Sequence, residues 1–428
     1  WRRTLAGAPR LWSFPTERPR PAEASHRGAW LYRRLPADLT ARLRDLGVSE
    51  GASLYMVLLA ALTLLVHRWS GQDDVVLGSP LAGRQQWESE GILGVFLNLL
   101  PMRVSLAGRP TFAGLLRRAR QTALDAFSGS GAVAYLLKAM GKEVTTNDFL
   151  RFPAVLSRAL VENQASRLPP DRLAALTAPA PEADDFIERT FAGIFFTVDD
   201  LRFLDRVSWH VGRLGDPYER ALATAALLRS CAKRQPRGVF TVAGDPERYK
   251  DGRRDLALSL AEHFPEQVAA INAAVFEAGR GHRALSGEVF EVEPRGFDLV
   301  YLDPPYVPRA DDNCYVKRYH FLEGLACYWR GVTIVEDSRV KKIAKRYTPF
   351  SYRRHAGEAF DRLFGRFADS TLVLSYSSNG WPDLPDLVAR MRRVKRRVEV
   401  VRREHRYSFG THHAVERSQT EEYLILGT

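Results

Sequence analysis

The sequence predicts an α/β fold in which a largely parallel sheet offers ligand-binding turns at the carboxyl ends of its strands. Three observations carry this. Short strand-like runs at 124–127, 143–146, 297–302 and 371–376 alternate with stretches of helical spacing. Two of the runs end in residues suited to chemistry, the turn Gly129-Ser130-Gly131 and the string Asp303-Pro304-Pro305-Tyr306. A long, mostly helical segment from about 150 to 284, broken by Pro169, Pro170, Pro179 and Pro181, separates the two and reads as an insert.

At 428 residues the chain has room for two to four domains of about 100–200 residues each. Two blocks meet without a linker. The first, 1–123, contains no lysine. It opens with an extended Pro/Arg-rich stretch (Pro15, Pro19, Pro21). Helical spacing follows from Leu39 to Leu46, and an apolar helix from Ser53 to Trp69 takes Ser53 as its cap. Gly71-Gln72-Asp73-Asp74 then turns the chain into a buried strand, Val75 to Leu77. A last helix is expected over Thr111 to Leu124, with Phe112, Leu115, Leu116 and Ala119 opposite Arg117, Arg118 and Arg120.

The second block, 124–428, starts with Leu124-Asp125-Ala126-Phe127-Ser128-Gly129-Ser130-Gly131, a strand that enters a glycine turn, and Ala132 to Met140 is helical. Glycines at such a turn let the backbone approach a ligand, and the helix start offers unpaired N–H donors. The next strand ends in Asn147-Asp148, where a carboxylate can accept from ribose hydroxyls. Strand, glycine turn, helix and acid together indicate a site for an adenosine-containing cofactor. No Gly-Lys-Ser/Thr follows the turn, which excludes a phosphate-binding P-loop. Downstream, Asp298 to Leu302 delivers Asp303 to a strand end, and two prolines stiffen the turn and remove two N–H groups. The Pro304 carbonyl and the Asp303 carboxylate are then two acceptors for the two N–H bonds of an exocyclic amino group. Tyr306 can stack on the base that carries it, once that base has left the duplex.

These residues resemble the Dam-like N6-adenine-specific DNA methyltransferases, in which Phe-x-Gly-x-Gly comes first, a target-recognition segment is inserted, and Asp-Pro-Pro-Tyr follows. Phe127 to Gly131 and Asp303 to Tyr306 match in motif, order and spacing. So do the strings Phe186 to Phe196, Tyr319 to Trp329 and Leu374 to Ser378. The resemblance implies a Rossmann-like S-adenosylmethionine-dependent methyltransferase sheet with a helical target-recognition insert. It implies that Phe127, Ser128, Gly129, Ser130, Gly131 and Asp148 bind S-adenosylmethionine, and that Asp303, Pro304, Pro305 and Tyr306 hold the adenine. The implied partner is double-stranded DNA with a flipped adenine, with a cognate restriction enzyme as a second, no metal, and a cytoplasmic location. Cytosine N4 is the neighbouring target, and the leading Asp favours adenine. Gly287-Glu288 is a loose candidate for the carboxylate beside the cofactor adenine, and no Gly-Ser-Lys-type motif precedes the glycine turn.

The first block is similar to the C-terminal half of a nonribosomal peptide synthetase condensation domain, on Trp1 to Ala8, Pro15 to Pro21, Ser53 to Gly78 and Gly83 to Arg103, with Ile92 to Arg103 as the core string. That family's His-His-x-x-x-Asp-Gly motif has no counterpart here, and His67 reads as a helix-end histidine. The chain therefore looks like a chimera joined through the string Ala123 to Phe127, by recombination or by mis-assembly of sequence reads. It opens at Trp1, which reads as a fragment or an internal cut.

Composition is that of a globular protein, 45% hydrophobic and 26% charged. No apolar run approaches the ~20 residues needed to span a bilayer. Cys231, Cys314 and Cys327 lack metal-ligand spacing and argue against a disulfide scaffold. The formal charge of +12 is compatible with a polyanionic partner. Two basic runs stand out, Arg339, Lys341, Lys342, Lys345 and Arg346, then Arg390, Arg392, Arg393, Lys395, Arg396 and Arg397, followed by Arg402, Arg403 and Arg406.

Overall fold

Apolar spacing sets the elements of the computed structural model, which describes residues 7–8, 32–50, 52, 54–82, 97–108, 110–119, 122–236, 238–241, 243, 252–307, 314–406 and 419–428. They fall into two units, Trp1–Gln121 and Thr122–Thr428. In the first, α1 (Ala37–Ser49) and α2 (Leu54–Ser70) precede β1 (Asp74–Ala82), β2 (Leu97–Ser105) and α3 (Phe112–Ala119). One face of α2, with Met56, Val57, Ala60 and Val66, is buried with Val75, Val104, Leu115 and Leu116. Tyr55, Leu58, Leu62 and Leu65 on the other face are exposed. Strands β1 and β2 are antiparallel, and Arg103 Nε donates to Asp74 Oδ1 at 2.9 Å across them. The Nδ1 of His67 meets the Gln72 carbonyl at 2.9 Å, so this ring closes the end of α2. Pro15, Pro19, Pro21, the Ser53 cap and the Gly83 to Phe96 part of the condensation-like string lie outside the described residues.

The expected helix Thr111 to Leu124 is shorter than its spacing suggests. It starts where Thr111 Oγ1 accepts from Gly114 N at 3.1 Å, and α3 ends at Ala119. Thr122–Asp125 forms the strand β3 instead, because parallel partners on both sides take its backbone groups. Tertiary pairing overrides local propensity here.

The second unit continues with α4 (Ala132–Ala139), β4 (Glu143–Asp148), α5 (Arg151–Ser157), α6 (Pro170–Thr177), α7 (Phe186–Phe191), α8 (Val198–Val211), α9 (Pro217–Lys233), α10 (Arg254–Ala257) and α11 (Leu260–Ala274). Then come β5 (Arg283–Ser286), β6 (Leu299–Leu302), α12 (Tyr315–Cys327), α13 (Arg353–Arg366), β7 (Thr371–Ser377), α14 (Leu384–Arg392), β8 (Val398–Arg406) and β9 (Gln419–Gly427). The seven-stranded sheet runs β5-β4-β3-β6-β7-β9-β8. Its first five strands are parallel, and β9 is antiparallel to both β7 and β8. The chain leaves β3 toward β4 and β5, then returns to the other side of β3 as β6. That reversal is the switch point at which open α/β sheets bind ligands.

Two apolar cores support this arrangement. Phe360, Phe364 and Leu363 of α13 are buried with Leu372, Leu374 and Tyr376 of β7. Each such side chain contributes about 1.5–3 kcal/mol. The insert shares a core with α12 and the residues after it, in which Phe191, Phe195, Phe196 and Phe240 meet Phe321 and Trp329 edge to face, tilted or stacked. The insert thus extends the helical reading of 150–284 through α11, while Arg283–Ser286 at its end joins the sheet as an edge strand. All three cysteines are free thiols. Among the described residues no helix is long and apolar enough to cross a membrane.

Candidate active site

Three strand ends converge on one cavity. After β3 the chain turns through Ala126 to Gly131, with φ of 49° at Gly129 and 78° at Gly131. Only glycine takes that left-handed backbone without strain. Crowding is not the reason, since a Cβ on Gly131 would meet nothing closer than Ser157 Oγ at 3.6 Å. The turn is held from several sides: Gly131 N donates to the Ser128 carbonyl at 2.7 Å and Ser128 N to that of Asn147 at 2.9 Å. Beneath it, Asp125 Oδ2 accepts from Ala134 N at 3.1 Å in the first turn of α4. Asp125 Oδ1 is buried without a hydrogen-bond partner among the described residues. Burial, reinforced by the charge of Asp303, pushes the Asp125 carboxyl up to about 7.

Asp148 closes β4. Its Oδ2 accepts from Gly129 N at 3.0 Å and its Oδ1 from Leu150 N at 2.9 Å. One carboxylate therefore ties the glycine turn to the entry of α5. Burial raises its pKa to about 6, against the two backbone bonds that favour the charge.

Strand β6 delivers Asp303, whose carboxyl burial also pushes up to about 6, opposed by a hydrogen bond from Tyr306. The Tyr306 hydroxyl also lies 3.3 Å from Glu422 Oε2 and 3.4 Å from Ser375 Oγ. Its ring meets Tyr376 edge-on at 5.0 Å. The chain leaves this turn under firm control. Val307 N donates to Tyr376 Oη at 3.2 Å, that hydroxyl donates to the Trp381 carbonyl at 2.6 Å, and Trp381 N donates to the Val307 carbonyl at 2.9 Å. The Pro304 carbonyl accepts from no described residue.

The cavity, about 450 Å³, is lined by Phe127, Gly129, Ser130, Asp148 and the whole Asp303 to Tyr306 string. Ser128 and Gly131 stand behind the wall: Ser128 is buried against Ser157, and Gly131 begins α4. Glu288 follows β5, beside Gly287, whose N–H reaches the Asp148 carbonyl at 2.9 Å, but it does not line the cavity. Phe152, Leu228, Arg229, Tyr315 and Tyr319 close it from the insert and α12. Among the described residues no cluster of His, Cys, Asp and Glu could hold a metal ion.

Residues 115–329 match the family of D12 class N6 adenine-specific DNA methyltransferases, half of the chain. The chain belongs to that family. Residues 1–150 match the condensation domain family, and the two matches overlap across the boundary between the two units. Peptide synthetases are among the relatives it matches. A linear gramicidin synthase of Brevibacillus parabrevis is 48% identical over 30% of this chain and 2% of its own length. Phosphinothricin tripeptide synthetase PhsC of Streptomyces viridochromogenes is 30% identical over 71% of this chain and 27% of its own. A solved complex of the X-domain and OxyB from teicoplanin biosynthesis shares 33% identity over 28% of this chain and 26% of that one, with a TM-score of 0.27. The chain thus spans a small part of the relatives it matches.

In this chain, several residues that shape the site escape sequence reasoning. Asp125 reads in the sequence only as part of a strand. Glu323 falls in one of the family-like strings, yet its Oε2 accepts from Arg151 N at 2.7 Å and Phe152 N at 3.2 Å, the first turn of α5. It is 1% exposed, and Arg346 approaches its Oε1 at 3.7 Å while lying over the Phe149 ring. A run of helical spacing with an acid in it is too common a pattern to have announced this. The basic runs are also partly spoken for. Arg390 bonds Asp386 and Asp361, Arg393 bonds Asp361, and Lys395 donates to the Ala368 and Ser370 carbonyls. Arg339, Arg392, Arg396, Arg402 and Arg403 remain exposed.

Proposed function

We propose that this methyltransferase transfers a methyl group from S-adenosylmethionine to N6 of an adenine flipped out of duplex DNA. The observation that carries the reading is a shared cavity: the Asp303 carboxylate and the unengaged Pro304 carbonyl open into the space lined by the glycine turn and Asp148. The orphaned Asp125 Oδ1 below the turn and the left-handed glycines suit a cationic donor held close to backbone. When bound, the donor supplies a sulfonium-activated methyl carbon. Phe127, Ser128, Gly129, Ser130 and Gly131 form its bed, and Asp148 keeps lone pairs for ribose hydroxyls. Asp303 and the Pro304 carbonyl each accept one N–H of the adenine amino group, which turns the nitrogen lone pair toward the donor. Pro305 stiffens that turn, and Tyr306, braced by Tyr376, offers a stacking face. Displacement is direct and in line, without a covalent enzyme intermediate, and Asp303 is placed to take the proton that N6 loses. Positioning and fixed charge do most of the work.

The same reading assigns 1–123 to a partial condensation-like block, 124–428 to the methyltransferase, and 150–284 to target recognition. The reading also takes in a cytoplasmic role in restriction–modification or genome methylation, beside a cognate restriction enzyme. The test is transfer of labelled methyl from S-adenosylmethionine to unmethylated DNA, with Asp303→Ala as control. Labelled N6-methyladenine that disappears in the control is expected. Folded protein that binds DNA without labelling it would leave only a DNA-binding fragment.

A further inference from the structure

We propose that Arg229 is the anion-binding residue of the cavity and takes the carboxylate of the methyl donor. The inference rests on the donor reading above and adds a residue to it that no motif supplies. Among the described residues lining the cavity, the charged ones are Asp148, Asp303 and Arg229. S-adenosylmethionine at neutral pH carries a sulfonium, an ammonium and a carboxylate. Of these three groups the carboxylate is the one that calls for a cation, and Arg229 is the one cation among the described lining residues. Among the described lining residues, the charges other than Arg229 are the acids Asp148 and Asp303, which repel a carboxylate.

The side chain is prepared for this. Arg229 sits on α9 between the face that presents Leu228 and Ala232 to the cavity and the face packed on α11. Its Nε donates at 3.0 Å to Oε1 of Gln267, itself 4% exposed on α11. Both terminal nitrogens keep their donors unengaged among the described residues. A guanidinium pinned at Nε and open at its fork suits bidentate binding of a carboxylate. The insert, read as the target-recognition element, would thereby also hold one end of the donor.

Calorimetric titration of the whole chain tests this, using S-adenosylmethionine, its decarboxylated analogue and an unmethylated DNA duplex as three separate probes. Arg229→Gln should weaken the carboxylated donor by about tenfold to a hundredfold, as expected for charge-assisted bonds. It should leave the decarboxylated analogue and the DNA unchanged, and Arg229→Lys should recover part of the loss. Gln267→Leu, which frees the pinned Nε, should give a smaller loss of the same selectivity and serves if Arg229→Gln does not fold. Equal loss of both donors, or loss confined to DNA, would overturn the assignment, the latter in favour of a phosphate contact. Wild-type protein that binds neither donor would overturn the donor reading itself, and Arg229 with it.

Discussion

Replacing Glu323 by alanine should strip α5 of its cap and soften one wall of the cavity. The carboxylate accepts from Arg151 N at 2.7 Å and Phe152 N at 3.2 Å, two N–H groups that no intrahelical carbonyl can serve. Hydrogen bonds to a charged group contribute about 1.5–3 kcal/mol each. Against them stands the cost of burying the charge, visible in a carboxyl held above its ordinary range chiefly by burial. The net loss should be about 3 kcal/mol. At about 2–4 °C per kcal/mol for a domain of this size, the melting temperature should fall by roughly 6–12 °C. Glu323→Gln keeps a carbonyl oxygen for the same two donors and sheds the buried charge, so it should lose about 1 kcal/mol or less. Because Phe149, Leu150 and Phe152 line the cavity, Glu323→Ala should also raise KM for the donor more than it lowers kcat. Thermal melts followed by circular dichroism, paired with donor titrations, decide the matter. A melt of Glu323→Ala within 2 °C of wild type, or a glutamine variant as damaged as the alanine one, would refute the capping argument.

Tyr376→Phe removes the hydroxyl that joins Val307 N to the Trp381 carbonyl, and should cost about 1.5–3 kcal/mol and lower kcat with little change in donor affinity. Urea unfolding and single-turnover rates measure the two effects. Gly131→Ala places a side chain at φ 78° and should cost about 1–2 kcal/mol in the same unfolding assay while weakening the donor. For pH, folding raises Asp125 to about 7 and Asp148 and Asp303 to about 6, above their ordinary value of 3.8. The native state then binds more protons than the unfolded one. The stabilisation is complete below about pH 4 and is lost as pH rises through 6 and 7. Urea midpoints should fall from pH 5 to pH 8, and Asp125→Asn should flatten that fall. Donor affinity should rise over the same range, because a cation favours the ionised acids. Charge reversal at Arg402 and Arg403 should reduce the salt dependence of DNA binding, whereas Arg390→Ala should act on stability through Asp361 and Asp386.

Two features of this chain were decided by local chemistry and could be read from sequence. A glycine turn between an apolar run and a helix is legible because only glycine takes positive φ freely. Asp303-Pro304-Pro305-Tyr306 is legible because prolines remove donors wherever they occur. What tertiary structure decided depends on residues far apart in the chain. Thr122–Asp125 became a strand rather than the end of a helix because β4 and β6 flank it. The edge strand β8, rich in charged residues, has little apolar run to announce it, and its antiparallel pairing with β9, which itself pairs with β7, makes it a strand. Asp125 acquired a raised pKa only through burial beside Asp303. Arg346, still exposed, came to face the buried Glu323, and Arg229 reached a cavity built from strand ends far from it in the sequence. Backbone preference acts within a few residues and survives in the sequence, whereas burial and charge pairing exist only once distant segments meet.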